Sequence, residues 1–156
     1  MTRREEFKTL FRSLIDRHTP ALTKRLRKLV HTPPPPSMEV LLFVIFSDWD
    51  EYPIQASAYN RQATEVYFKA PFYGQMIPRG RLIPEGAIDQ EAFENEGIAT
   101  FETGAVVTAE WFGECWHQAG GKRFPVPAFI EHHDSSEAYD LRQRRWVKDK
   151  DIWNQP

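Results

Sequence analysis

Four consecutive prolines, Pro33 to Pro36, stand just ahead of the run Glu39 to Phe46, whose interior Val40, Leu41, Leu42, Phe43, Val44 and Ile45 is apolar throughout. These two neighbours constrain the fold more than any other feature of the chain. Proline lacks the amide donor and clashes with the turn before it, so no helix passes through 33–36, and four in a row make a stiff extended spacer. A continuous run of β-branched and aromatic residues predicts a strand covered on both faces, because a strand with one wet face would alternate. The chain therefore divides into residues 1–32, a proline spacer at 33–37, and a body at 38–156.

Before the spacer, Phe7, Leu10, Phe11, Leu14 and Ile15 recur at the spacing of an amphipathic helix. Thr19 offers an N-cap oxygen and Pro20 a preset first residue for a second helix, whose apolar stripe is Leu22, Leu26, Leu29 and Val30. Arg3, Arg4, Lys8, Arg12, Arg17, Lys24, Arg25, Arg27 and Lys28 make this helical hairpin basic, while the net charge of the whole chain is −2. The rest is therefore acidic, and the hairpin is expected to lie against it as part of the same domain.

After the spacer the pattern mixes periods. Ile54 to Tyr59 alternates and predicts a hairpin partner for the apolar run. Glu65 to Phe72 predicts a further strand, and residues 73–86 an irregular loop. A short helix near Ala87 to Asn95 and a strand at Ile98 to Phe101 follow. Thr103 would cap a helix carrying Val106, Val107, Trp111, Cys115 and Gln118, ended by Gly120 and Gly121. Phe124 to His133 should be extended, with Pro125 and Pro127 suggesting an edge position. Ser135 or Ser136 would cap a last helix through Arg145; a strand over Tyr139 to Val147 is the alternative. The sum is one α+β domain with a mainly antiparallel sheet, helices on one face, and the basic hairpin packed with it.

Chemically versatile side chains concentrate between Glu110 and Asp140. Cys115 and His117 sit two apart on a helix, about 200° around its axis, so they form no local dyad. Cys115 reads as core and Trp116 as nearer the surface. Glu131, His132, His133 and Asp134 form the candidate catalytic group. On a strand, Ala128, Ile130, His132 and Asp134 share a face that turns from apolar to polar, as a core-facing row does when it emerges into a cleft. His132 and Asp134 are the expected acid/base pair. No metal and no cofactor are expected: adjacent histidines on one strand point apart, and no zinc, calcium or phosphate-binding spacing occurs.

A second candidate is the acidic-aromatic loop Asp48, Trp49, Asp50, Glu51 and Tyr52, joined by Trp116 as a surface ring. Carboxylates among exposed rings suit a basic protein partner. The first expectation for function is thus a cytosolic, bacterial-type interaction module, analogous to proteins that neutralise a basic toxin or effector. The alternative is a small hydrolase or transferase built on the His132/Asp134 pair. The 13% aromatic content favours contact surfaces, while a single cysteine, a charged N-terminus and no long apolar run point to the cytoplasm and away from membranes. Nucleic acid is disfavoured, since the basic hairpin lacks interleaved rings; self-association stays open.

Overall fold

A computed structural model of the chain describes residues 1–46, 52–77 and 81–154. Helix α1 spans Arg3–Ile15, and a 3-10 turn at Asp16–His18 leads into α2, Thr19–Val30. The start of α1 is a reciprocal capping box. The Thr2 hydroxyl accepts from the Glu5 amide at 3.1 Å, and the Glu5 carboxylate accepts from the Thr2 amide at 3.0 Å. Helix α2 has no such cap. The Thr19 oxygen expected to supply it instead accepts from Trp111 Nε1 at 2.8 Å, a tertiary bond that outcompetes the local one.

The strands are β1 Val40–Ile45, β2 Ile54–Tyr59, β3 Glu65–Tyr67, β4 Gly74–Gln75, β5 Ala128–His132, β6 Glu137–Asp140 and β7 Arg145–Lys148. They form one sheet in the order β3-β2-β1-β5-β6-β7, with β4 also paired to β2. Only β1 and β5 run parallel among these pairs; the others are antiparallel. Two helices, α3 at Gln90–Asn95 and α4 at Thr100–Gln118, lie in the crossover between β1 and β5. The class is α+β with a mostly antiparallel sheet, and among the described residues no helix is long and apolar enough to cross a membrane.

Strand β1 sits at the centre, which explains its unbroken apolar sequence. Leu41, Phe43 and Ile45 join the main core with the buried side chains of α1, α2 and α4. Val40 and Leu42 point the other way, into a smaller core with Phe129, Ala138 and Ile152. Ile152 belongs to a final 3-10 segment, Asp149–Asn154.

Several expected elements differ. The strand expected from Glu65 stops at Tyr67, after a register shift opposite Ala58 and Tyr59, and Phe68 is exposed. No strand forms at 98–101. Helix α4 starts at Thr100, and Thr103, the expected cap, is buried one turn inside it. Strand β5 is not at an edge, because its prolines precede the ladder. Pro127 lacks a donor but keeps its acceptor, and its carbonyl takes the Leu41 amide at 2.9 Å. The last helix is absent: Ser135 Oγ accepts from the Glu137 amide at 3.0 Å and so closes a turn into β6. Asp140 then accepts from the amides of Arg142 and Gln143, and Arg144 takes a left-handed φ of 56°, which together make the β6–β7 hairpin.

Helix α4 is buried on nearly every side because α1 and α2 pack on it from one direction and the sheet from the other. Two glycines permit those approaches. A Cβ at Gly104 would lie 2.6 Å from Tyr52 Oη and 2.8 Å from Phe11 Cε2; one at Gly113 would lie 2.7 Å from the Tyr139 ring. A bidentate pair from Arg12 to Glu114, at 2.7 and 3.2 Å, fixes α1 along α4.

Candidate functional site

The apolar row of β5 ends as its sequence suggests. Ala128 and Ile130 lie in the main core, and the next residue on that face, His132, opens onto a cleft of about 430 Å³. The cleft lies between the first turns of α4, through Glu102, Ala105 and Val106, and the turn linking β5 to β6. Asp134, Ser135, Ser136 and Glu137 contribute from that turn and from β6, and the indole of Trp146 closes the far side from β7. A second hollow of about 330 Å³ adjoins it, and Glu102, His132 and Asp134 line both. Trp146 is held edge-on against Tyr139 at 5.2 Å, so the wall is braced by the hairpin.

Burial, followed by the neighbouring His133, lowers the His132 pKa below its ordinary value, against opposing pulls from Asp134 and Glu102. His132 is therefore neutral near pH 7 and has a lone pair to offer. The Asp134 carboxylate, which acts on His132 electrostatically, also reaches the neighbouring ring. Asp134 Oδ2 lies 3.1 Å from Nε2 of His133, whose Nδ1 lies 3.3 Å from the Ile45 carbonyl oxygen. The His133 ring also stacks on Phe46, with centroids 5.4 Å apart and planes 30° apart.

The expectation that the two rings diverge assumed that the strand runs on. It does not. Strand β5 stops at His132, and the Ser135 amide donates to the His132 carbonyl at 2.9 Å, so 132–135 is a turn. The turn folds the rings together, 4.8 Å between centroids and nearly perpendicular. One ligating atom from each of His132, His133 and Asp134 then falls within 4.8 Å of the others.

Glu131 faces the opposite way. It is half-buried over the smaller core, paired in register with Val44 and Ala138. Burial and then the nearby charge of Asp149 raise its pKa to about 7. It is not among the residues that line the cleft with His132 and Asp134.

The binding candidates scatter. Tyr52 is fully buried, edge-on to Phe11 at 5.0 Å, with its hydroxyl donating to the Thr100 carbonyl at 3.3 Å. Asp48, Trp49, Asp50 and Glu51 lie outside the described residues. Trp116 is buried between Phe43 and Phe124 rather than near the surface, because α4 is covered on two sides and not one. Cys115 is buried and free, its thiol pKa pushed up by burial, while His117 is exposed, so the two do not meet.

Glu102 and Trp146 were not singled out by sequence reasoning, and Val106 was read only as part of a helix stripe. Glu102 fell between the expected strand, which ended at Phe101, and the expected cap, Thr103, whereas it is the acidic residue of the first turn of α4. An acidic group at that place suits the helix dipole, which is the signal that could have marked it.

No protein-family model matches the chain, and comparison with curated proteins and with solved structures finds no significant match.

Proposed function

We propose that the cleft between α4 and the β5–β6 turn is the active site of a small hydrolase or group transferase acting on a small polar molecule. The observation that carries this reading is convergence: one histidine, three acidic residues and two serines from separate segments line one concavity at the end of a central strand. Glu102, facing His132 from α4, takes up and returns a proton, and His132 presents its ring nitrogen to the reacting group at the cleft floor. Ser135 and Ser136 bind the substrate rather than attack it. Ser135 Oγ already holds the Glu137 amide, and no elbow sets either serine up as a nucleophile. The free, buried Cys115 suits a reducing compartment, and cytoplasmic work fits this reading.

The test is turnover against a panel of esters, amides and phosphoesters. The wild-type protein is expected to hydrolyse at least one class, and Glu102→Gln and His132→Asn each to lose about 100-fold or more in kcat/KM with unchanged melting. Turnover surviving both substitutions would refute the assignment.

A further inference from the structure

His132, His133 and Asp134 gather two imidazole nitrogens and a carboxylate oxygen at one turn, and the geometry points to a binding site for a divalent cation of the zinc class, open to the cleft. What the ion would do there rests on the cleft being the active site, where a bound ion would meet the reacting group in place of the His132 nitrogen it occupies; the binding itself rests on the cluster alone.

The arrangement around His133 is the strongest observation. Its Nδ1 faces the Ile45 carbonyl, which accepts only if Nδ1 carries the proton. In that tautomer Nε2 presents a lone pair to Asp134 Oδ2, 3.1 Å away. Two acceptors at that separation need a positive centre between them: a second ring proton supplies it when His133 is charged, and a shared cation supplies it when the ring is neutral. A ring nitrogen bonded to backbone carbonyl with the other nitrogen on the ion is the usual outer support of a metal-bound histidine. Stacking on Phe46 fixes the same ring from its face.

The remaining geometry is within reach of side-chain rotation. Ligand atoms about 2.0–2.1 Å from a tetrahedral zinc lie about 3.3 Å from one another. The Nε2–Oδ2 separation already meets this. His132 lines the cleft at the strand end, and Asp134 is an exposed side chain that can turn toward it. Two imidazoles and one carboxylate form a borderline donor set, suited to zinc-class ions rather than to calcium or magnesium, which take oxygen ligands. Three protein ligands leave a fourth position open. Two of the three ligands, His132 and Asp134, line the cleft together with Glu102, and an open position beside a cleft is the mark of catalytic rather than structural zinc sites.

The experiment uses the full chain, free of any histidine tag and stripped with a chelator. Zinc is titrated by calorimetry, and cobalt(II) serves as an absorbing substitute. One zinc per chain is expected, with His132→Ala and His133→Ala weakening it by about 100-fold or more, beyond what loss of an outer partner costs. Asp134→Asn alters an exposed side chain and keeps the test readable if a histidine variant fails to fold. His117→Ala, on the exposed end of α4, should bind zinc as the wild type does. No stoichiometric zinc binding, or equal weakening by His117→Ala, overturns the site. Zinc bound by an inactive protein upholds the site and removes the hydrolase reading; His132-dependent turnover that persists in chelator does the reverse.

Discussion

Beyond Ile130 the two faces of β5 both turn polar, and they turn to different ends. On one face His132 opens into a cleft walled by α4 and the β6–β7 hairpin, with hydroxyls and carboxylates around it. On the other, one residue earlier, Glu131 is pressed over the smaller core and raised to about 7 by burial and Asp149. The strand and the change in chemistry are common to both. What differs is the cover: α4 stands off the strand end and leaves space, whereas Val44, Ala138 and the C-terminal segment surround the opposite face. A polar residue at a strand end is thus no sign of a site by itself; space beside it, with other polar groups turned toward the same point, is.

Substitutions can break or sharpen this contrast. The largest effect is expected from Glu102→Gln or His132→Asn, as above. Next comes Val106→Phe, which places a ring into the cleft from a partly exposed position on α4; turnover should fall by about tenfold or more while the melting temperature stays near that of the wild type. A cleft that is only a surface dent would tolerate the ring.

Gly113→Ala acts one layer back. Its Cβ would meet the buried Tyr139 ring at 2.7 Å, so α4 must shift from β6, and denaturant titration should show a loss of about 1–3 kcal/mol. Unaltered stability would mean that α4 is not held against the hairpin at this point.

The smallest effect belongs to the closed face. A carboxyl whose folded pKa lies above its unfolded value near 4.5 keeps its proton more readily when folded, so stability falls as pH rises from about 4.5 through about 7. Glu131→Gln should remove that fall. The variant should gain about 1 kcal/mol over the wild type at pH 8, a figure discounted for the partial exposure of the group, and little at pH 4. A variant less stable than the wild type at pH 8 would show that the charge is stabilised there.

The sequence carried this contrast only in part. Period-two alternation from Ala128 to His132 correctly separated the faces, and the unbroken run at β1 announced a central strand. Both are local patterns whose cause, which side is covered, acts on every residue of the element. The edges of elements were less legible. Thr19, Thr103 and Ser135 all look like helix caps, yet a hydroxyl has several possible partners, and tertiary ones took Thr19 and buried Thr103 inside a helix that had begun earlier. Trp116 was misplaced because one amphipathic stripe was assumed for α4, when helices and sheet enclose it from both sides. The pairing of His133 with Asp134 depended on where β5 stops, a boundary that no periodicity marks. Glu102 could be joined to His132 only by folding, since α4 and β5 meet across the crossover.

The most direct measurement sets the two faces side by side: kcat/KM of the wild type, His132→Asn and Glu131→Gln on the same panel of esters, amides and phosphoesters, with and without added zinc. The expected result is turnover by the wild type, a loss of about 100-fold or more in His132→Asn, and Glu131→Gln within about twofold of the wild type, since its side chain faces away from the cleft. Equal losses in the two variants, or no turnover by the wild type in either condition, would contradict the assignment of the cleft as the active site.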